Sequence, residues 1–177
     1  AVERAIGERA DARGIEVVEA ADSFIAGEAS AVVNAIENDD PRPIDRTVRL
    51  SESGLRGRPT LVHNVETMAH LGLIARFGGA WFRSVGSPED PGTRLITLSG
   101  DIPRTGVFEI ATDATLDSVL RAAGLQPGSA SAVLIGGYPG AWVPASSFGT
   151  PLTPSGLEPF GAQPGAGIVH VLSDQRC

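Results

Sequence analysis

The sequence contains no lysine, because all 14 of its basic residues are arginine. No side chain can therefore form a Schiff base, and a P-loop lysine for nucleotide phosphates is also excluded. The one cysteine, Cys177, is the last residue, so we expect neither an internal disulfide nor a metal site built from cysteines. The lack of a disulfide framework indicates a cytoplasmic protein.

Long apolar runs and an excess of positive charge are also missing. No run approaches the about 18 apolar residues that cross a bilayer, and the N-terminal segment lacks the apolar centre of a signal peptide. The 21 acidic and 14 basic residues give a formal net charge of −7 at pH 7. Phosphate-backbone binding needs clustered cations, so we expect no nucleic-acid partner and no direct membrane insertion.

The residues that are present indicate a folded, turn-rich protein. Hydrophobic residues make up 42% of the 177 positions, and there are 22 glycines and 13 prolines. This length allows one domain or two small ones. Because the sequence starts without Met in a helical pattern, we expect a piece of a longer protein.

The first half of the chain predicts an α/β pattern. The spacing predicts a helix over 2–13 ended by Gly14, strands at 15–19 and 23–26, a helix over about 28–37, a loop to residue 59 and a helix begun by Asn64. After the turn-rich stretch 86–92, the pattern predicts strands at 93–99 and 106–110, a helix at 115–123, and strands at 132–135, 141–143 and 167–172. This order in the second half suits a small β-grasp-like fold.

Gly27 and Glu28 lie where the second predicted strand gives way to a helix. Backbone N–H groups at a helix start are unpaired and hold phosphate or carboxylate groups, so this turn is a candidate ligand edge. The alternative is a tight turn in which Glu28 only favours the helix dipole.

His63, Asn64 and Thr67 surround the next helix start. Asn64 is a preferred N-cap residue, which leaves His63 and Thr67 as donors to a ligand oxygen. The alternative is a capped helix with a solvated first turn. His63 has no second ligand at zinc spacing, and His70 and His170 are isolated, so we predict no metal site.

The glycine-rich segment 136–141 follows an apolar strand but does not predict a dinucleotide-binding loop. Such a loop must be followed by a helix, whereas Pro139 and Pro144 favour a turn into another strand. The Ser146–Ser147 pair has no His or Asp arranged near it. We therefore predict no catalytic residue within this chain.

Taken together, SFIAGEASAVVNAIEN, RPTLVHNVETMAHL, GGAWFRSVG, GTRLITLSGDIPRTGVFEI and IGGYPGAWVP resemble the flavin-binding, NADH-oxidising subunit of respiratory complex I and its relatives in NAD-linked hydrogenases and formate dehydrogenases. The resemblance covers nearly the whole chain. It implies an α/β fold in which the C-terminal part of a Rossmann-like FMN-binding domain precedes a β-grasp domain. The implied ranges are 1–90 for the α/β part, 91–160 for the β-grasp module and 161–177 for the start of an iron–sulfur helical domain.

The resemblance also implies the cofactor-binding residues, which are Gly27, Glu28, His63, Asn64 and Thr67, on the flavin and nicotinamide side. Two positions depart from the family pattern. Ala29 stands where the family has a second acid, and His63 where it has the first of two asparagines. The glycine-rich flavin loop and the cysteine ligands of the [4Fe–4S] cluster have no match here, and Cys177 aligns upstream of those ligands.

Function and partners follow from the same resemblance. It implies a segment of an NADH:acceptor (quinone) oxidoreductase, in which hydride passes from NADH to FMN and electrons move on to an iron–sulfur cluster. The implied partners are a nicotinamide dinucleotide and other electron-transfer subunits, which would hold the protein at the inner face of the membrane. We expect no turnover by the 177 residues alone. The alternative is a non-catalytic relative that serves as a ligand-binding or subunit-docking β-grasp module.

Overall fold

The computed structural model describes residues 2–174 of the chain. It divides into two compact units, Ala1–His63 and Asn64–Cys177. Cys177, for which we predicted no ligand role, lies outside the described residues. In the part that is described, no helix is long and apolar enough to cross a membrane.

The first unit is organised around one well-packed helix. Helix α1 covers Val2–Gly7 and helix α2 covers Ala29–Asn38, with 3₁₀ turns at Phe24–Gly27 and Leu55–Gly57. Helix α2 buries Ala31 and Val33. The predicted helix at about 28–37 is thus confirmed, whereas the helix predicted over 2–13 ends early, at Gly7.

Both strands predicted for the first unit are wrong. Residues 15–21 have no regular secondary structure, and the segment predicted as a second strand forms the 3₁₀ turn Phe24–Gly27. Ile15 is 58% exposed and Val17 is 48% exposed. A strand needs a partner for its backbone groups, and no described residue pairs with this segment, so its alternating pattern does not produce a sheet.

The second unit begins with helices and continues as a sheet with one covering helix. Its helices are α3 (Val65–Phe77), α4 (Gly79–Phe82), α5 (Leu116–Ala122) and α6 (Pro154–Leu157), with 3₁₀ turns at Ala145–Ser147 and Glu158–Phe160. Asn64 caps α3, as predicted, and Gly78 ends it with a φ of 87° that favours glycine.

Five strands form one mixed sheet in the order β2-β1-β5-β3-β4. They are β1 (Thr93–Gly100), β2 (Gly106–Ala111), β3 (Ala130–Ile135), β4 (Ala141–Pro144) and β5 (Ile168–Ser173). The central pair, β1 and β5, is parallel, and the other pairs are antiparallel. All five strands predicted for this half are therefore present, in a mixed α/β architecture.

The hairpin between β3 and β4 contains the glycine-rich segment. Gly136 and Gly137 have φ values of 93° and 76°, which favour glycine, and Ile135 pairs with Ala141 directly after the turn. The predicted hairpin is thus confirmed, and no helix follows these glycines.

The core of the second unit lies between the sheet and α5. Alternate strand residues face it, so Leu98 and Val171 are each only 1% exposed, and Leu116 and Leu120 cover them from α5. This alternation is the physical basis on which the strands could be predicted.

Candidate functional site

The start of α2 is closed by the side chain of Glu28. Its Oε2 accepts hydrogen bonds from the backbone N–H groups of Ser30 at 2.9 Å and Ala31 at 3.1 Å. Glu28 is therefore the N-cap of α2, and its carboxylate occupies two of the donors that the sequence offered to a ligand.

The hydroxyl of Ser30 also donates to Oε2 of Glu28, and this bond is the main cause that lowers the pKa of the Glu28 carboxyl. Ser30 is buried, and its Oγ accepts the backbone N–H of Ile44 at 3.1 Å. The Ser30 hydroxyl thus connects the cap of α2 to the segment that follows the helix.

Gly27 is exposed beside this cap. Within its unit, nothing lies within 4 Å of the position that a Cβ atom would take, and φ is not in the left-handed region. The backbone conformation therefore does not require glycine at this position. What glycine provides here is open space in front of the start of α2.

The start of α3 gathers Asn64 and Thr67. The Oδ1 atom of Asn64 accepts the backbone N–H of Thr67 at 2.8 Å. Asn64 is exposed and Thr67 is half-buried. His63, which is exposed, precedes this turn as the last residue of the first unit.

A polar cavity of about 450 Å³ opens beside this turn in the second unit. Its walls include Asn64, Thr67 and His70 from the helix and Thr93, Arg94 and Gly167 from the sheet side. Of the five predicted residues, Asn64 and Thr67 line this cavity, whereas Gly27, Glu28 and His63 belong to the first unit.

Three charged residues of this cavity, Glu66, Asp90 and Arg94, were not predicted. Arg94 forms an ion pair with Asp90, and its Nε atom is buried without a hydrogen-bond partner among the described residues. Glu66 accepts the backbone N–H of Leu95 at 2.7 Å. A sequence signal existed for Glu66, which is an acid in the first turn of α3. The Asp90–Arg94 ion pair had none, because a four-residue spacing brings side chains together on a helix and these residues lie in a turn and a strand.

Thr93, in the cavity wall, contacts His70 of the same wall and Glu109, which is not a lining residue. The Thr93 hydroxyl donates to Oε1 of Glu109 at 2.6 Å, and Nε2 of His70 lies 3.5 Å from the Thr93 hydroxyl oxygen. Because the Thr93 proton is given to the carboxylate, the oxygen acts as an acceptor toward His70. Within residues 2–174, no three His, Cys, Asp or Glu side chains form a metal-binding group.

Comparison with known proteins gives relatives across most of the chain. The alpha subunit of the NAD-reducing hydrogenase HoxS of Cupriavidus necator is 35% identical over 147 residues, which are 82% of this chain and 24% of that protein. A subunit of an NADH-quinone oxidoreductase of Rhizobium meliloti is 29% identical over 166 residues, which are 92% of this chain and 39% of that protein. No protein-family model matches.

A solved structure is also similar. One chain of an NAD+-reducing [NiFe]-hydrogenase in the H2-reduced state has a TM-score of 0.77 and 32% sequence identity, over 98% of this chain and 30% of that chain. The present chain therefore spans between 24% and 39% of the length of these relatives.

Proposed function

This chain is a homologue of NADH-quinone oxidoreductase and NAD-reducing hydrogenase subunits, and from this relationship we propose that it is a segment of an NADH:acceptor oxidoreductase flavoprotein subunit. The chemistry that bound FMN would supply is hydride acceptance from NADH and one-electron transfer to an iron–sulfur cluster. The contribution of this segment is to hold the flavin and the dinucleotide.

The observation that carries the proposal is the Asn64–Thr67 turn beside the cavity. The cap uses the Oδ1 atom of Asn64, so the Nδ2 donors remain for a ligand acceptor, and the Thr67 hydroxyl lines the same wall. The volume of about 450 Å³ is within the range of about 300–1,000 Å³ that is typical of small-molecule sites. The residues of this turn therefore suit FMN. For Gly27, Glu28 and His63, the proposed cofactor role rests on the family resemblance alone.

Titration of the 177-residue chain with FMN tests this proposal, because bound flavin changes its fluorescence. We expect saturable binding of FMN that weakens when Asn64 and Thr67 are both replaced by alanine. The matched control is Thr115→Ala, which removes a comparable helix cap in α5. Absence of saturable binding by the wild-type chain contradicts the proposal. We expect no NADH turnover by this segment.

We further propose that the sheet of the second unit is a β-grasp module. The support is its strand order, with a parallel central pair and one helix across the sheet. Strand β5 lies between β1 and β3, so we include it in this module. Electron-transfer subunits are the proposed partners, and through them the protein would be peripheral on the cytoplasmic face of the membrane.

A second candidate function is a docking module without a cofactor. The observation that favours it is at α2, where the Glu28 carboxylate is engaged by Ser30 and Ala31. Ala29 provides no second carboxylate. Calorimetric titration with FMN and NADH distinguishes the two functions, since micromolar binding of either ligand contradicts a purely docking role.

A further inference from the structure

Glu66 connects the first turn of α3 to the sheet. Its Oε1 atom accepts the backbone N–H of Leu95, 29 residues along the chain, at 2.7 Å. An acidic side chain in the first turn of a helix interacts favourably with the helix dipole without needing a hydrogen bond to another element. The bond to a different element is therefore an additional feature that the dipole does not explain.

The position of Leu95 in β1 explains why its N–H needs this acceptor. The backbone groups of alternate residues point to the same side of a strand, and the Thr97 N–H donates toward β5, to the carbonyl of Gly167 at 2.7 Å. The Leu95 N–H lies on this same side, two residues earlier. Pairing between β1 and β5 begins only at Thr97 and Ile168. Leu95 thus lies before β5 starts, and the Glu66 carboxylate accepts in place of a strand carbonyl.

We propose that Glu66 is a positioning residue, which holds the turn that carries Asn64 and Thr67 against the start of β1. This inference rests on the proposed function, in which that turn contacts FMN. Glu66 itself is a neighbour of Asn64 and Thr67 in the cavity wall. Loss of the bond frees the helix start from the strand and changes where the two ligand-binding side chains stand.

Amide hydrogen exchange of the 177-residue chain tests the positioning directly. In Glu66→Ala, we expect exchange at the Leu95 and Thr67 amides to accelerate about fivefold. The Leu95 amide loses its acceptor, and the Thr67 amide keeps Asn64 as its acceptor in a turn that is no longer held to β1. Glu66→Gln keeps an acceptor oxygen and should stay near the wild-type rates. The Ser118 amide, which donates to the Thr115 cap of α5, is an internal control for folding and should not change.

Unchanged exchange at Thr67 in Glu66→Ala, together with faster exchange at Leu95, overturns the inference, because Glu66 then serves the strand alone. FMN titration of the same variants supplies the second readout. We expect affinity to fall about fivefold in Glu66→Ala and to be restored in Glu66→Gln. Equal FMN affinity of Glu66→Ala and wild type also overturns the inference. If the wild-type chain binds no FMN, the proposed function fails, while the exchange rates still decide whether Glu66 positions the turn.

Discussion

Asn64 and Thr67 are joined by a hydrogen bond of 2.8 Å from the Thr67 backbone N–H to the Asn64 side-chain oxygen. Asn64 therefore caps α3 with its side-chain oxygen, and the cap does not use its Nδ2 donors. These two groups can be separated chemically, because a carboxylate of the same shape keeps the oxygen and has no N–H.

Replacing Asn64 separates capping from ligand binding. Asn64→Asp should keep the stability of the second unit, since Asp caps as well as Asn, but lower FMN affinity about tenfold through the lost donor. Asn64→Ala should lower both the FMN affinity and the stability, with a free energy of unfolding that is lower by about 1 kcal/mol. Urea unfolding and flavin fluorescence measure the two effects.

Thr115→Ala is the control for these variants, because Thr115 caps α5 through the Ser118 N–H at 3.2 Å. It should cost about 1 kcal/mol of stability and leave FMN affinity unchanged. Normal FMN binding by Asn64→Asp would contradict a ligand role for the Asn64 amide.

The Glu28 carboxyl should make the stability of the first unit depend on pH. The Ser30 hydroxyl, followed by the backbone N–H groups of the cap, lowers the pKa of the folded Glu28 carboxyl. A lowered folded pKa gives stability that is present above the unfolded value, about 4.3, and is lost as the pH falls through the folded pKa.

Thermal unfolding of wild type and Glu28→Gln between about pH 3 and pH 7 measures this contribution. The wild type should be the more stable at neutral pH, and the difference should shrink in acid. Asp40, whose pKa is lowered by Arg42, is common to both proteins and so does not contribute to the difference. A difference that is constant with pH would contradict a role for the ionised carboxyl.

The second unit could be predicted from sequence because its signals are local. Asn64 precedes an apolar helix, and the strands carry buried residues at every second position, such as Leu98 in β1 and Val133 in β3. These features need no knowledge of distant residues.

The first unit and the cavity depend on contacts that are distant in sequence. The segment at 15–19 alternates like a strand, but pairing partners decide whether a strand forms, and none is found within the described chain. The bond from Glu66 to Leu95 depends on where β5 begins. The capping role of Glu28 was also missed, because Ser, Thr, Asp and Asn are the usual capping residues.

Two leucines of β1, one buried and one exposed, should contribute differently to the free energy of unfolding. Leu98 is 1% exposed and Leu95 is 44% exposed. Leu98→Ala should lower the free energy of unfolding by about 3 kcal/mol, because it leaves a cavity under α5. Leu95→Ala keeps the backbone N–H that binds Glu66 and should cost less than about 1 kcal/mol. Similar losses for the two variants in urea unfolding would contradict the placement of the core.

The β3–β4 hairpin has no room for a side chain at Gly140. A Cβ atom at this position would lie 2.0 Å from the carbonyl oxygen of Ile135, which cannot yield without opening the hairpin. Gly140→Ala should cost about 1–3 kcal/mol. Gly149→Ala is the control, since nothing lies within 4 Å of its Cβ position and its φ is not positive. Equal stability of the two variants would show that the turn has another conformation.

Replacing His63 by asparagine should strengthen FMN binding. The family that this chain resembles has an asparagine at this position, and His63 is exposed next to Asn64, the N-cap of α3. An asparagine amide offers two N–H donors and a carbonyl acceptor on a short side chain, whereas an imidazole ring has no NH2 group and places its two nitrogens elsewhere. If the His63 position contacts FMN, His63→Asn should raise FMN affinity about tenfold, the value of one additional satisfied polar group. His170→Asn, at an exposed position in β5, is the control and should bind FMN as the wild type does. An unchanged affinity in His63→Asn removes this position from the flavin site, while a matching increase in His170→Asn means that the gain does not arise at the α3 turn.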